Sequence, residues 1–480
     1  MRTIRIGLFG LGVVGGGMLT ILHRNRDLIR SRLGADLRVV TAVTAHPAQQ
    51  RDLPLDGVTV SGDPAAILDD PSIEIVVELM GGTGLARTVV LDAMARGKAV
   101  VTANKALLAE HAHEIFTRAY ETGAALGMEA AVAGGIPVIR SLREGLASDR
   151  ILEICGIVNG TCNYILTKMS QEQAPFERVL AEAQKLGYAE ADPTFDVDGH
   201  DAAHKLAVLV NLAYGTTIRF EDVYREGIRK VTPEDIAYAR QLGFTLKLLA
   251  IAKPSGTAKP NGTAKPSGPA KPSIPVKPAS AVKSSGAAKP NDPGAPAAQV
   301  EARVHPTLVE NTHLLAAVSG VYNAVFLTGD NVDATLHYGR GAGALPTGSA
   351  VVSDLIDIAR SLPPGGGKSA ARVPPLGVQR EHVRELQVRP MRDIQSEYYL
   401  RFPVLDRVGV LAKITTIMGG HNISIKSMLQ PDQALHPADP VQVILTTHRA
   451  READIDQSLA EIGKLDFIQG PAQRIRIERF

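Results

Sequence analysis

The chain has 480 residues, a formal charge of +2, and 45% hydrophobic residues. That length exceeds one ordinary core and sets an expectation of about three domains. Near-neutral charge argues against a nucleic-acid partner. No apolar run approaches the ~18 residues of a bilayer span, so a cytoplasmic protein with no membrane partner is expected.

Ile4 to Phe9 reads as a short apolar strand. Gly10, Gly12 and Gly15 follow at GxGxxG spacing, and Met18, Leu19, Ile21 and Leu22 continue at helical spacing. At such a junction the first glycine permits a tight turn, the second lets backbone approach a pyrophosphate, and the third lets helix pack on strand. The helix N-terminus then offers unpaired N–H groups to the anion. The loop Gly10, Leu11, Gly12, Val13, Val14, Gly15 is therefore the expected dinucleotide cradle. Strands at Leu37 to Val43 and Glu74 to Leu79 extend a βαβ series. The first of these, the second strand of the chain, ends at Thr44, Ala45 and His46, with Arg38 and Arg51 nearby, where an NAD site would place an acid. The choice between NAD and NADP stays open.

In AVVTANKALLA, 99–109, Lys105 stands just past an apolar strand, at the sheet edge where ligands bind. It is placed for a nicotinamide or a substrate carboxylate, although a surface lysine at a helix start has the same spacing. EAAVAGGIPVI, 129–139, sets a carboxylate ahead of the bend-prone pair Gly134 and Gly135. Cys155 and Cys162 are too few for a disulfide framework and have no metal-ligand spacing, so buried thiols in a reducing compartment are expected.

GIVNGTCNYILTKM, 156–169, precedes EAQKLGYAEADPTFDVDGHDAAHKLAVL, 182–209, which holds Glu190, Asp192, Asp196, Asp198, Asp201 and Lys205. Its acids lack the EF-hand spacing and closing glutamate, so they suit a substrate amine better than a divalent metal. Asp201 and Lys205 stand at i, i+4, on one face of an amphipathic helix. By position alone they form a surface ion pair worth a few tenths of a kcal/mol.

From 253 to 298 a hexad tract repeats, with lysines at 253, 259, 265, 271, 277, 283 and 289. It lacks the apolar groups needed to offset its ordering entropy and reads as a solvated linker. The runs Phe244 to Ala252 and Val300 to His305 on either side could pair as a hairpin, which makes the tract a loop inside one domain. A Pro/Gly-rich break at 361–377 is the candidate domain boundary. Beyond it, YYLRFPV, a helix from LDRVGVLAKI, the strands ISIKSMLQ and VQVILTTH, a helix over 451–463 and the strand RIRIERF give βαββαβ.

Six segments in order resemble homoserine dehydrogenases: GLGVVGGG at 10–17, TANK at 102–105, EAAVAGGIP at 129–137, GIVNGTCNYIL at 156–166, GYAEADPTFDVDGHDAAHK at 187–205 and YGRGAGALPTGSAVVSDL at 338–355. The resemblance implies hydride transfer between NAD or NADP and the pair L-homoserine and L-aspartate 4-semialdehyde, on the route to threonine and methionine. It places the proton donor on Lys205 beside Asp201, the substrate amine on Glu190 with Asp196, and cofactor and substrate contacts on Lys105. It adds Gly160 and Gly341 to the cofactor loop, and a sodium site at Glu129, Val132, Gly134 and Ile136. Two departures are Cys162, where the family usually has threonine, and the lysine tract. The C-terminal segment resembles an ACT domain through DRVGVLAKI, 406–414, and HNISIKSMLQ, 421–430, which implies a homo-oligomer, dimer or tetramer, with threonine as effector.

The expected architecture is α/β throughout. A Rossmann-type dinucleotide-binding domain covers 1–135, with a return segment near 335–360. An α/β catalytic and dimerisation domain covers 136–335, a linker 361–395, and a ferredoxin-like ACT domain 396–480. Because the sequence opens at the nucleotide-binding strand, a form with no fused aspartokinase is expected. The competing readings are another NAD(P) oxidoreductase of amino acids, and an amino-acid sensor on an inactive Rossmann platform.

Overall fold

A computed structural model describes residues 1–255, 298–363, 371–430 and 440–480. Strands β1 (Arg2–Phe9), β2 (Ala35–Val43), β3 (Thr59–Ser61), β4 (Ile75–Glu78), β5 (Ala99–Thr102) and β6 (Leu126–Gly127) form a parallel sheet in the order β3-β2-β1-β4-β5-β6. The residues of β4 and β5 are all buried, as continuous apolar runs covered on both faces should be. Strand order reverses between β1 and β4, which opens the crevice where such sheets bind ligands. Helix α1 (Val13–Arg24) leaves β1 at that crevice.

The helix Ala344–Ser361 packs on α1 through small residues. A Cβ on Gly17 would lie 2.1 Å from the Ala344 carbonyl oxygen, and one on Gly348 would lie 2.7 Å from the Met18 nitrogen. Any side chain at either position would separate the two helices.

A mixed 12-stranded sheet carries the rest of the molecule. Its main path runs through Ala334–Arg340, Tyr322–Gly329, Ile151–Ile157, Phe244–Pro254, Gln299–Glu310, Gln473–Glu478, Gln395–Leu405, Pro440–Thr447 and Ile425–Leu429. The helix His200–Tyr214 lies against the hairpin Phe244–Pro254/Gln299–Glu310. Leu206, Leu209 and Val210 of that helix are fully buried, as their helical spacing requires.

The expected hairpin is present, with Phe244 opposite Glu310 and Pro254 opposite Val300. Its first strand runs further than the sequence suggests. Lys253, read as the start of the lysine linker, lies inside the strand, where its Nζ is 3.0 Å from Glu153 and also pairs with Glu478. Two carboxylates across the sheet hold it there. The remainder of the tract, 256–297, lies outside the described residues.

The C-terminal elements Gln395–Leu405, Val410–Gly420, Ile425–Leu429, Pro440–Thr447, Glu452–Ile462 and Gln473–Glu478 follow one another as βαββαβ in a ferredoxin-like order. Tyr398, Leu400, Phe402, Ile414, Met418 and Ile455 make their core. The last strand also pairs parallel with Gln299–Glu310, Thr307 facing Arg476, so this unit shares one sheet with the hairpin. Both cysteines are buried free thiols, and burial raises their pKa values. No helix among the described residues is long and apolar enough to cross a membrane.

Candidate active site

The turn after β1 is closed by glycines. Gly10 has φ +99°, and a Cβ there would lie 2.6 Å from the Leu79 carbonyl oxygen. A Cβ on Gly15 would lie 2.2 Å from the Gly10 oxygen, so the helix can sit this close to the strand only with glycine. Gly12, the N-cap of α1, faces open space, and no side chain caps the helix. Free amides at a bare helix start suit an anion, and a dinucleotide pyrophosphate fits this donor set. At the end of β2 the Arg51 guanidinium donates to Thr44 Oγ1 at 3.3 Å and to the His46 carbonyl at 3.0 Å.

The candidate reactive groups come from two helices. Asn104 caps the helix Lys105–Glu110, accepting from Leu107 N–H at 3.1 Å and donating to the Gly82 carbonyl at 2.6 Å. That cap fixes the start of the lysine side chain. Lys105 Nζ lies 3.2 Å from Asp201 Oδ1 and 5.5 Å from the centre of the Phe195 ring. Helix His200–Tyr214 begins after Gly199, at φ +85°, and carries Asp201 and Lys205 on one face. Lys205 Nζ donates to Asp201 Oδ2 at 2.8 Å and to the Val158 carbonyl at 2.7 Å.

Asp201 is only 5% exposed, so this is no surface ion pair. Burial pushes its carboxyl up, but Lys205, Lys105 and the Asn159 amide outweigh that and hold it at about 2. Asn159 Nδ2 donates to Asp201 Oδ2 at 2.9 Å and to Asp196 Oδ1 at 2.8 Å, tying two carboxylates together. Burial and the nearby Asp201 charge push the Asp196 carboxyl up.

The other acids of the segment separate. Asp192 caps Thr194 N–H, and Asp198 lies 2.6 Å from Arg229. Glu190 is exposed, its carbonyl accepts from Gln184, and its carboxylate has no hydrogen-bond partner among the described residues. Of the acids singled out in sequence, Asp196 and Asp201 share the site with the lysines.

Gly160 and Gly341 mark close approaches. A Cβ on Gly160 would lie 2.8 Å from the Val321 carbonyl oxygen, and one on Gly341 would lie 1.4 Å from Asn323 Oδ1. Glu129 is buried, accepting from Ile139 N–H at 2.9 Å and from Arg140 N–H at 2.8 Å. The turn after it carries Val132, then Ala133 and Gly134 at positive φ, then Ile136, and a Cβ on Gly134 would lie 2.6 Å from the Gly341 oxygen. A carboxylate with backbone carbonyls as further ligands would be a hard oxygen set suited to an alkali cation; here both Glu129 oxygens accept from backbone N–H groups.

Sequence reasoning gave no role to Asn159, Phe195 or His204. Asn159 had a readable signal as a strand-end N-cap, and its Oδ1 accepts from Cys162 N–H at 2.8 Å. His204 had none. Its Nε2 lies 2.9 Å from Glu110 Oε1 and its ring stacks on Phe220 with centroids 4.1 Å apart, which joins the Lys105 helix to the Lys205 helix.

Residues 10–129 match the family model "Homoserine dehydrogenase, NAD binding domain", and residues 137–356 match "Homoserine dehydrogenase". The chain is 41% identical over 480 residues to the homoserine dehydrogenase of Pseudomonas aeruginosa, covering 100% of both chains. It is 40% identical to that of Neisseria gonorrhoeae, covering 100% of this chain and 99% of the relative. A crystal structure of a homoserine dehydrogenase from Thiobacillus denitrificans superposes with TM-score 0.84 at 42% identity, covering 100% of this chain and 99% of that one. With both halves of a dinucleotide oxidoreductase matched and relatives aligned end to end, the chain belongs to the homoserine dehydrogenase family.

Proposed function

We propose that the chain interconverts L-homoserine and L-aspartate 4-semialdehyde, with Lys205 as the proton donor and acceptor at the substrate oxygen. The observation that carries this is the Lys105–Asp201–Lys205 arrangement around the buried Asp201 carboxylate, 3.2 Å and 2.8 Å across its two contacts, beside the glycine-lined crevice. When bound, the nicotinamide supplies or takes the hydride.

The protein's part is charge and orientation. Reduction of an aldehyde leaves alkoxide character on its oxygen, which an ammonium can neutralise and then protonate. Lys205, held by Asp201 and the Val158 carbonyl, is the fixed ammonium. Lys105 adds a second positive charge from the nucleotide-binding unit, facing the same carboxylate. Asp196 and Glu190 take the substrate amine. Asp196, bridged to Asp201 through Asn159, is part of the site, whereas Glu190 stands on the exposed loop with its carboxylate turned to no protein partner among the described residues.

The cofactor loop is Gly10 to Gly15 with Gly160 and Gly341. We read its preference as NADP, because Arg51 stands at the end of β2 held only by neutral oxygens, where a 2′-phosphate would sit. Glu129 with the carbonyls of Val132, Gly134 and Ile136 is the site for sodium. The βαββαβ unit is an ACT domain through which threonine inhibits, and the enzyme works as a homo-oligomer in the cytoplasm.

Lys205→Ala tests the assignment. The expected result is a loss in kcat of about 10²–10⁴-fold, the range for a lost general acid, with NADP affinity kept within about twofold. Loss of cofactor binding instead would reject Lys205 as the proton donor. The same assay run with NAD and with NADP, with sodium replaced, and with threonine added reads the finer assignments.

A further inference from the structure

The C-terminal unit reaches the substrate side of the site through one buried arginine. Arg476, in the last strand, is 1% exposed. Its Nε donates to Glu452 Oε2 at 2.9 Å within the C-terminal unit, and its Nη2 pairs with the other oxygen of that carboxylate. Its Nη1 lies 2.8 Å from Glu226 Oε2, in the catalytic unit. Tyr224 Oη donates to the same Glu226 oxygen at 2.9 Å and accepts from Arg476 Nη2 at 3.2 Å. A buried guanidinium is tolerated only with its charge and its donors matched, so Glu226 is a required partner and is held in place.

Glu226 is also where the chain leaves the sheet. Tyr224–Arg225 pairs with Arg303 and Val304, and Glu226 N–H donates to the Val304 carbonyl at 2.8 Å. The next residues grip the acidic segment. A Cβ on Gly227 would lie 2.2 Å from the Val197 carbonyl oxygen, and Ile228 N–H donates to that oxygen at 2.9 Å. Arg229 Nε donates to Asp198 Oδ1 at 2.6 Å and its Nη2 to Thr194 Oγ1 at 3.3 Å. The gripped turn, Thr194–Val197, carries Phe195 and Asp196 and passes through Gly199 into the helix of Asp201 and Lys205.

We propose that Glu226 is a positioning residue for substrate binding, and that through Arg476 the C-terminal unit is part of the frame that sets the 194–198 segment against the lysines. This rests on the assignment of Asp196 to the substrate amine and extends it to a residue that touches no reactant. It holds with or without an effector on the C-terminal unit.

The test uses the full chain and a matched pair of ion pairs across the same seam. Glu226→Gln keeps the shape of the link and removes its charge. Glu478→Gln breaks the neighbouring pair to Arg303, 2.9 Å in the native protein, whose side chain otherwise meets Glu301 and His305 and none of residues 194–198. We expect Glu226→Gln to raise the KM for homoserine about tenfold while the KM for NADP and kcat stay within about threefold. Glu478→Gln should lower the melting temperature and leave the homoserine KM within about twofold. Tyr224→Phe, which removes one hydroxyl, should shift the homoserine KM about two- to threefold in the same direction, and answers the question should Glu226→Gln not fold.

A Glu226→Gln enzyme that loses stability but keeps its homoserine KM overturns the proposal. So does a Glu478→Gln enzyme with an equal rise. Asp196→Asn separates the premise: if it leaves the homoserine KM unchanged, the substrate assignment falls and the proposal with it. If Asp196→Asn raises that KM and Glu226→Gln does not, only the positioning role is lost.

Discussion

Asp201 stands between two ammonium groups that come from different parts of the fold, and its ionisation sets how they behave. With the carboxyl held at about 2, against about 3.8 in an unfolded chain, its native contacts contribute roughly 2 kcal/mol of stability above pH 4. That contribution is lost only as pH falls from the ordinary carboxylate range through the native value. Asp201 is therefore ionised wherever the enzyme is assayed, and any acid limb in the rate profile above about pH 4 belongs to another group. Asp201→Asn should cut kcat by about 10²-fold or more, since Lys105 and Lys205 then face each other without the charge that holds them. The pH–rate profile of the surviving activity checks this: a normal turnover number would show that the lysines are placed without Asp201. At this scale the sequence carried the residue types and their order. It did not carry the meeting of Lys105 with Asp201, which depends on two units closing on each other, nor the Asn159 bridge, which depends on a carboxylate pair that no spacing encodes.

Strand Phe244–Pro254 shows how an element can be readable while one of its residues is not. Its apolar run marked it as strand, with the run Val300 to His305 as its hairpin partner. Lys247 sits within that run, 3% exposed, donating to Asn163 Oδ1 at 3.3 Å and to the Val318 carbonyl. Burial pulls its ammonium down to about 8. Since the unfolded chain keeps this proton up to about pH 10.4, it binds more protons than the native state between about pH 8 and 10.4, and stability rises with pH across that window. The full span amounts to about 3 kcal/mol. Lys247→Met should flatten the rise, read as the urea midpoint at steps from pH 7.5 to 10. Parallel slopes for the two proteins would show that the lysine is not the group responsible. Lys253 gives the opposite lesson: its hexad composition matched the tract beyond it, and only the distant carboxylates Glu153 and Glu478 reveal it as a strand residue.

Over the whole molecule, the order of a nucleotide-binding unit, a catalytic unit and a βαββαβ unit could be read from periodicity and turn residues. The joining of the last two into one sheet could not, because a parallel pairing such as Thr307 with Arg476 leaves no local signal in either strand. The return of the helix Ala344–Ser361 to α1, expected near 335–360, rests on glycines that permit close packing. The lysine tract tests how far this assembly depends on chain continuity. Residues 256–297 connect two strands that are already neighbours, with Pro254 opposite Val300. Every site residue lies outside that stretch, and no motif is displaced by it. Replacing 256–297 with a turn of about four residues shortens the loop that must be closed on folding, which lowers the closure cost by about 2 kcal/mol. The shortened enzyme should keep kcat and both KM values within about twofold and unfold at the same or a higher urea concentration. A shortened chain that folds but loses turnover would assign the tract a part in catalysis, and one that fails to fold would show that the hairpin needs its long connection; each result contradicts a hairpin whose pairing is held by its own register.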